Sequence, residues 1–274
     1  MKILISADME GITGVVNWDQ TDMAHPEFGR FRKLMTGDVN AAVAGAFAGG
    51  ADEVVVTDSH GDGLNILLEE LDARARMNSG LSSPNSMAQG VASGEVDGVF
   101  FVGYHGRAGS LNSVLAHTWS ASRIYNVWLN DVLVGEFGLN AALAGHYGTP
   151  VVLVTGDQVA CAQTVDLLGS METVIVKQAT SFESAECLPP AVTGPLIHAA
   201  AERAVKALIV KKPGPFIVDT PVRVTIEFSQ PVQADRAGRM AGMKRLDGRR
   251  IEFAVPDMPT AHAAFRSAVR ISKD

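Results

Sequence analysis

Positive charge is in short supply in this chain. Lys and Arg total 23 against 30 Asp and Glu in 274 residues, a formal charge of −7 with His neutral. A nucleic-acid partner needs the opposite balance, a basic face that displaces counterions, so none is expected. Cysteine is nearly missing. Cys161 and Cys187 do not form a close metal pair, and they read as reduced thiols of a cytosolic protein. No apolar run approaches the about 18 residues of a membrane span, so no membrane partner is expected. The opening residues meet their first acid, Asp8, too soon for a signal peptide. They read as a first strand, and the expected location is the cytoplasm.

Aliphatic residues and glycine are what the chain does have. Apolar residues make up 47% while aromatics make up only 6%, and 27 residues are Gly. That composition suits helices packed closely on a buried parallel sheet. Strand-like runs fall at 2–7, 53–57, 73–78, 99–102, 151–155 and 173–177. Helical spacing covers 30–47, 137–147 and 158–168, with shorter helices expected at 64–71 and 86–92. Residues 124–129 and 132–134 flank Asn130-Asp131, a hairpin turn signal. Pro189-Pro190 and Gly194-Pro195 mark a composition shift, followed by a helix over 195–209. The tail then reads as a strand at 222–228, a helix at 234–240, a strand at 250–254 and a helix at 259–271. The pattern predicts an α/β fold, an open and mostly parallel sheet flanked by helices. A catalytic domain over 1–190 and a smaller C-terminal α+β domain over 191–274 are expected.

In an open α/β sheet, ligands bind beyond the carboxyl ends of the strands. Asp8 and Glu10 follow the first strand, Asp58 and His60 the second, and His105 the 99–102 strand. Glu136 follows the hairpin where a helix begins. Carboxylates and imidazoles are the donors for Zn²⁺, Mn²⁺ or Co²⁺. Five or six of them exceed one tetrahedral zinc and suit two metals sharing a bridging carboxylate. Taken singly, each residue has an ordinary explanation: Asp8 and Asp58 as turn acids, Glu136 as a complement to a helix dipole, the histidines as satisfied core groups. Their shared position at strand exits and a helix start favours the metal reading. His117, beside Trp119, is a candidate base, proton carrier or oxyanion stabiliser. His25, before Pro26, is a weaker candidate to line the site.

Other hydrolase signatures are missing. There is no G-x-S-x-G elbow, no H-E-x-x-H helix and no phosphate-binding Walker loop. Asp58-Ser59-His60 has the D-x-H form of binuclear phosphoesterases, but the asparagine–histidine pair expected downstream is missing. Another binuclear metal hydrolase, acting on a phosphoester or a different amide, is the first alternative. A non-enzymatic binding protein with a degenerate site is the second.

Ser6-Ala7-Asp8-Met9-Glu10-Gly11-Ile12 resembles the S-x-D-x-E-G opening of the D-aminopeptidases of the M55 metallopeptidase family. Asp58-Ser59-His60, Gly103-Tyr104-His105 and Gly135-Glu136-Phe137-Gly138-Leu139-Asn140-Ala141 follow in the family's order. The resemblance covers at least residues 1–176, and the tail from about 222 carries no matching motif. It implies a zinc aminopeptidase that hydrolyses short peptides from the free N-terminus, preferring D-residues, by attack of a metal-activated water. It implies two Zn²⁺ per subunit on Asp8, Glu10, His60, His105 and Glu136, with Asp8 bridging. Glu10 and His60 would complete one site, His105 and Glu136 the other, with His117 as the catalytic residue. A ring-like homo-oligomer is also implied, with a decamer as the expected form. One departure stands out. Family members carry a basic residue soon after the lysine at the Lys177 position, where this chain has Phe182 and Glu183.

Overall fold

The computed structural model describes residues 1–80 and 83–273. Its strands are β1 (Lys2–Ala7), β2 (Glu53–Asp58), β3 (Arg76–Asn78), β4 (Gly98–Tyr104), β5 (Ile124–Leu129) and β6 (Val132–Val134), then β7 (Val151–Asp157), β8 (Glu172–Ser181), β9 (Ser184–Cys187), β10 (Val222–Phe228), β11 (Lys244–Arg245) and β12 (Arg250–Val255). The helices are α1 (Phe28–Gly49), α2 (Glu136–His146), α3 (Gln158–Leu168), α4 (Pro190–Val210), α5 (Pro231–Ala237) and α6 (Met258–Ile271).

The first sheet runs β3-β2-β1-β4-β7-β8-β9. All its pairings are parallel except β8 with β9. Its central strands are buried along nearly their whole length, which is why they read as unbroken aliphatic runs. Ile3, Ile5, Val54, Val56, Phe100 and Val102 face a core shared with α1 and α4. Leu4, Val55, Val99, Phe101 and Val154 face the other, shared with α2 and the second sheet.

That second sheet is antiparallel, in the order β11-β12-β10-β5-β6. Burial along β10 alternates strictly, one face in the core and one toward solvent. Asn130 and Asp131 both take positive φ, 45° and 72°, as the predicted hairpin turn requires. The sheet draws strands from both sides of residue 190, and α4, which begins there, packs on α1. Every residue of α2 except His146 is buried, so this helix lies inside the molecule with Glu136 at its N-terminus.

Several local expectations change. The segment 64–71 holds only a 3₁₀ turn at Leu68–Glu70. The expected helix at 86–92 is two such turns, Ser86–Ala88 and Val91–Ser93, interrupted by Gly90 at φ 104°. Helix α4 starts at Pro190 rather than 195: a proline suits the first helical position, and Pro195 forfeits only one helical hydrogen bond. Among the described residues, no helix is long and apolar enough to cross a membrane.

Candidate metal centre

Strand order reverses at β1. From it the chain moves outward through β2 and β3, then returns to its other side through β4, β7 and β8. Neighbouring loops diverge at such a switch point and leave a crevice. Asp8 leaves β1 into this crevice, and His105 leaves the adjacent β4. Two glycines let the loops after these strands touch. Gly11 donates its amide to the Gly103 carbonyl at 2.8 Å, and a Cβ on Gly11 would sit 2.0 Å from the Tyr104 carbonyl oxygen. Gly103 itself has φ +73°, with room for no side chain against the Asp8 carbonyl.

Asp8 stands at the middle of the site. One carboxylate oxygen, Oδ1, lies 3.3 Å from His60 Nδ1, and the other, Oδ2, lies 3.4 Å from His105 Nε2. Glu10 Oε2 is 3.0 Å from His60 Nδ1. Glu136 Oε1 is 3.4 Å from His105 Nε2 and 3.5 Å from His117 Nε2. Two donor groups result, Asp8–Glu10–His60 and His105–His117–Glu136, and within each group the ligand atoms lie within 4.8 Å of one another. Asp8, Glu10, His105 and Glu136 are all buried. All six predicted site residues therefore meet in one place. His25 does not join either group and lies 3.6 Å from Asp19.

The backbone fixes each imidazole by its outer nitrogen. His105 Nδ1 donates to the Gly106 carbonyl and His117 Nδ1 to the Leu115 carbonyl, both at 2.9 Å. His60 Nε2 donates to the Thr21 carbonyl at 3.2 Å. In each ring the remaining nitrogen faces carboxylate oxygens, so the space between them favours positive charge, a bound metal ion or the ring's own proton. Metal-bound histidines are oriented in this way. Asp8 Oδ2 and His105 Nε2 are buried and have no hydrogen-bond partner, as expected of atoms that serve a metal. The residues present fit a two-metal centre by the chemistry of their donors.

The electrostatics agree. Burial opposes charge on Asp8, yet His105 and His60 beside it hold its carboxyl well below the usual range. Burial likewise opposes charge on the two imidazoles. Glu10 and Asp8 outweigh it at His60, and Glu136 and Asp8 at His105, lifting both well above the ordinary histidine value. The cluster favours positive charge in its midst.

Asp58 shapes the loop and does not join the donors. It accepts from Asn65 N at 2.6 Å, Asn65 Nδ2 at 2.7 Å and Ile66 N at 2.8 Å, while Asn65 Nδ2 also binds the His60 carbonyl at 2.6 Å. Burial raises its carboxyl above the ordinary value, against those hydrogen bonds. Other supports are invisible in motif spacing. Asp157 caps α3 through Val159 N and Ala160 N and also accepts from Ser113 Oγ and Val114 N, both at 2.8 Å, anchoring the loop that carries His117. Its signal, an acid between a strand and a helix, was present in the sequence. His117 stacks on His105 with ring centroids 4.2 Å apart and planes 9° apart, and Trp18 meets it edge-on at 5.4 Å. Leu115 and Trp119, on either side of His117, take left-handed φ of 50° and 64°, a strained backbone that packing must hold.

The whole chain has counterparts among known proteins. A D-aminopeptidase of Bacillus subtilis (strain 168) is 37% identical over 270 residues, spanning 96% of this chain and 95% of that one. The solved structure of the Zn-dependent D-aminopeptidase DppA from Bacillus subtilis, described as a self-compartmentalizing protease, matches with a TM-score of 0.95 and 33% identity, over 99% of this chain and 98% of that one. The family model of the M55 peptidases, D-aminopeptidase, matches residues 1–267 and so takes in the tail where no motif was legible. The chain belongs to the D-aminopeptidase family of M55 metallopeptidases.

Proposed function

We propose that this chain is a zinc-dependent aminopeptidase that removes the N-terminal residue of short peptides, with preference for D-residues. The observation that carries this reading is Asp8, whose two oxygens face imidazole nitrogens of two separate donor groups. The zinc dependence and D-aminopeptidase activity of the relatives support the choice of metal and reaction. Two zinc ions per subunit are proposed, on Asp8, Glu10 and His60 and on Asp8, His105 and Glu136. Zinc held there would polarise the scissile carbonyl and activate water as the nucleophile.

His117 is proposed as the catalytic residue rather than a ligand. Its Nδ1 is committed to the Leu115 carbonyl, so only Nε2 can accept or deliver a proton, and Nε2 points toward the donor cluster. Trp18 closes one side of the ring against water. Residues 1–190 hold all six groups and are proposed as the catalytic part, with 191–274 as the smaller supporting part. A homo-oligomer is proposed on the strength of the self-compartmentalizing relative, and a decamer as its form on the family resemblance alone.

The test is direct. Purified protein is assayed for zinc content and incubated with D,D- and L,L-dipeptides and with phosphoesters. Zinc near two equivalents and release of free D-amino acid support the reading. Equal cleavage of L,L-dipeptides removes the stereochemical preference, and release of inorganic phosphate in place of amino acid replaces the reaction.

A further inference from the structure

Lys177 is buried near the middle of β8, with 1% of its surface exposed. β8 is separated from β1 by β4 and β7, yet the ammonium reaches the loop after β1. It donates to the backbone carbonyls of Glu10, Ile12 (3.0 Å) and Val15. Those three bonds use all its protons. Among the described residues, no carboxylate lies within ion-pair distance of it. A buried ammonium without a counter-ion is costly, and so is a buried carbonyl without a donor. Here each relieves the other.

The same loop is held on its amide side by different groups. Gly11 N donates to the Gly103 carbonyl at 2.8 Å. Thr13 donates to the buried Asp38 carboxylate through N at 2.9 Å and through Oγ1 at 3.0 Å. The loop is thus suspended between three anchors, and Lys177 alone among them touches a residue that supplies a metal donor. We propose that Lys177 is a positioning residue: by gathering the carbonyls of Glu10, Ile12 and Val15 it aims the Glu10 carboxylate at His60 and so sets the metal affinity of the Asp8–Glu10–His60 half. The inference rests on the two-metal reading above.

The test uses Lys177→Met, which keeps an unbranched chain and removes every donor, and Lys177→Gln, which keeps an amide donor on a shorter stem. Zinc is titrated into metal-free protein against a chromogenic chelator to resolve two binding steps. Melting of the metal-free protein is followed in parallel. Outer-shell changes weaken metal binding by about 10–100-fold. A loss of that size is expected in one step for Met and a smaller one for Gln, with the other step at its wild-type value. Equal weakening of both steps, or a lower melting temperature with both affinities intact, would overturn the proposal and leave Lys177 as an ordinary core support. Should Lys177→Met not fold, the Gln variant decides by the same criterion. Wild-type protein that binds no zinc would instead remove the two-metal reading, and this inference with it.

Discussion

The two halves of the centre are built in different ways. Asp8, Glu10 and His60 sit just beyond two adjacent strands of one parallel sheet, β1 and β2. Their loops are tied down by conventional groups: the Thr21 carbonyl on His60, Asp58 and Asn65 beneath it, and Lys177 under Glu10. The other half starts conventionally with His105 after β4. Its partners come from the long connection between β4 and β7: His117 from the loop before β5, and Glu136 from the helix start that follows the β5–β6 hairpin of the antiparallel sheet. Glu136 heads the buried α2, and Trp119 N donates to its Oε1 at 2.6 Å. His117 rides a strained loop. One half follows from sheet topology and the other from a detour, and Asp8 faces imidazoles of both.

The sharpest way to break this comparison is to remove the shared member. Asp8→Asn is expected to empty both halves and to reduce hydrolysis by more than the about 100-fold upper range of outer-shell changes. Elemental analysis and the D-peptide assay check it together. A variant that keeps a full complement of zinc would show that the halves are independent. Glu10→Gln or His60→Ala should lose metal and activity together, and the surviving zinc should be the one on His105 and Glu136. Full metal content with full activity in either variant would overturn the ligand assignment. His117→Ala sharpens the comparison further. It should keep its metal while turnover falls by about 10²–10⁴-fold, the usual contribution of a positioned acid or base. Loss of zinc in that variant would move His117 from the reaction to the ligand set.

How far each half was legible follows from the same contrast. Buried parallel strands are continuous aliphatic runs, so β1, β2, β4 and β7 stood out, and the residues after them followed. The alternation of β10 was equally readable. β11 is two basic residues with no apolar pattern, and β9 is four mostly exposed ones. Glu136 was found at a helix start, but His117 carried no local signal and took its role from family resemblance. Lys177 acts on a loop far from it in sequence through backbone carbonyls, which leave no residue pattern to read; the capping position of Asp157 was readable, but its hold on Ser113 and Val114 was not. Phe182, where a basic residue was expected, donates no charge; its carbonyl accepts the Leu115 amide at 2.8 Å, so it supports the His117 loop.

The smallest predicted effect belongs to the second half alone. His262, on α6, is buried behind Trp119, with ring centroids 5.6 Å apart, and its Nε2 has no hydrogen-bond partner. Burial, helped by the charge of Arg266, pushes its imidazole down to about 3. An unfolded chain protonates this histidine below about 6.5, whereas the folded chain resists until about 3. Its neutral form therefore carries its full stability above pH 6.5, and that stability is lost as pH falls from 6.5 toward 3, at up to about 1.4 kcal/mol per pH unit. Replacing it with Gln should flatten the acid side of the melting-temperature profile. Metal-free protein is the proper sample, because zinc release in acid would add its own slope. Across this window His60 and His105, with raised values, are protonated in the folded and unfolded chain alike and add no slope, and the carboxylates act equally in both proteins, so the difference between wild type and His262→Gln isolates the one residue. Identical profiles would mean that the packing behind Trp119 opens readily enough to hydrate His262. The strained loop of His117 would then lack the rigid backing that its left-handed residues require, and the second half would be the mobile one.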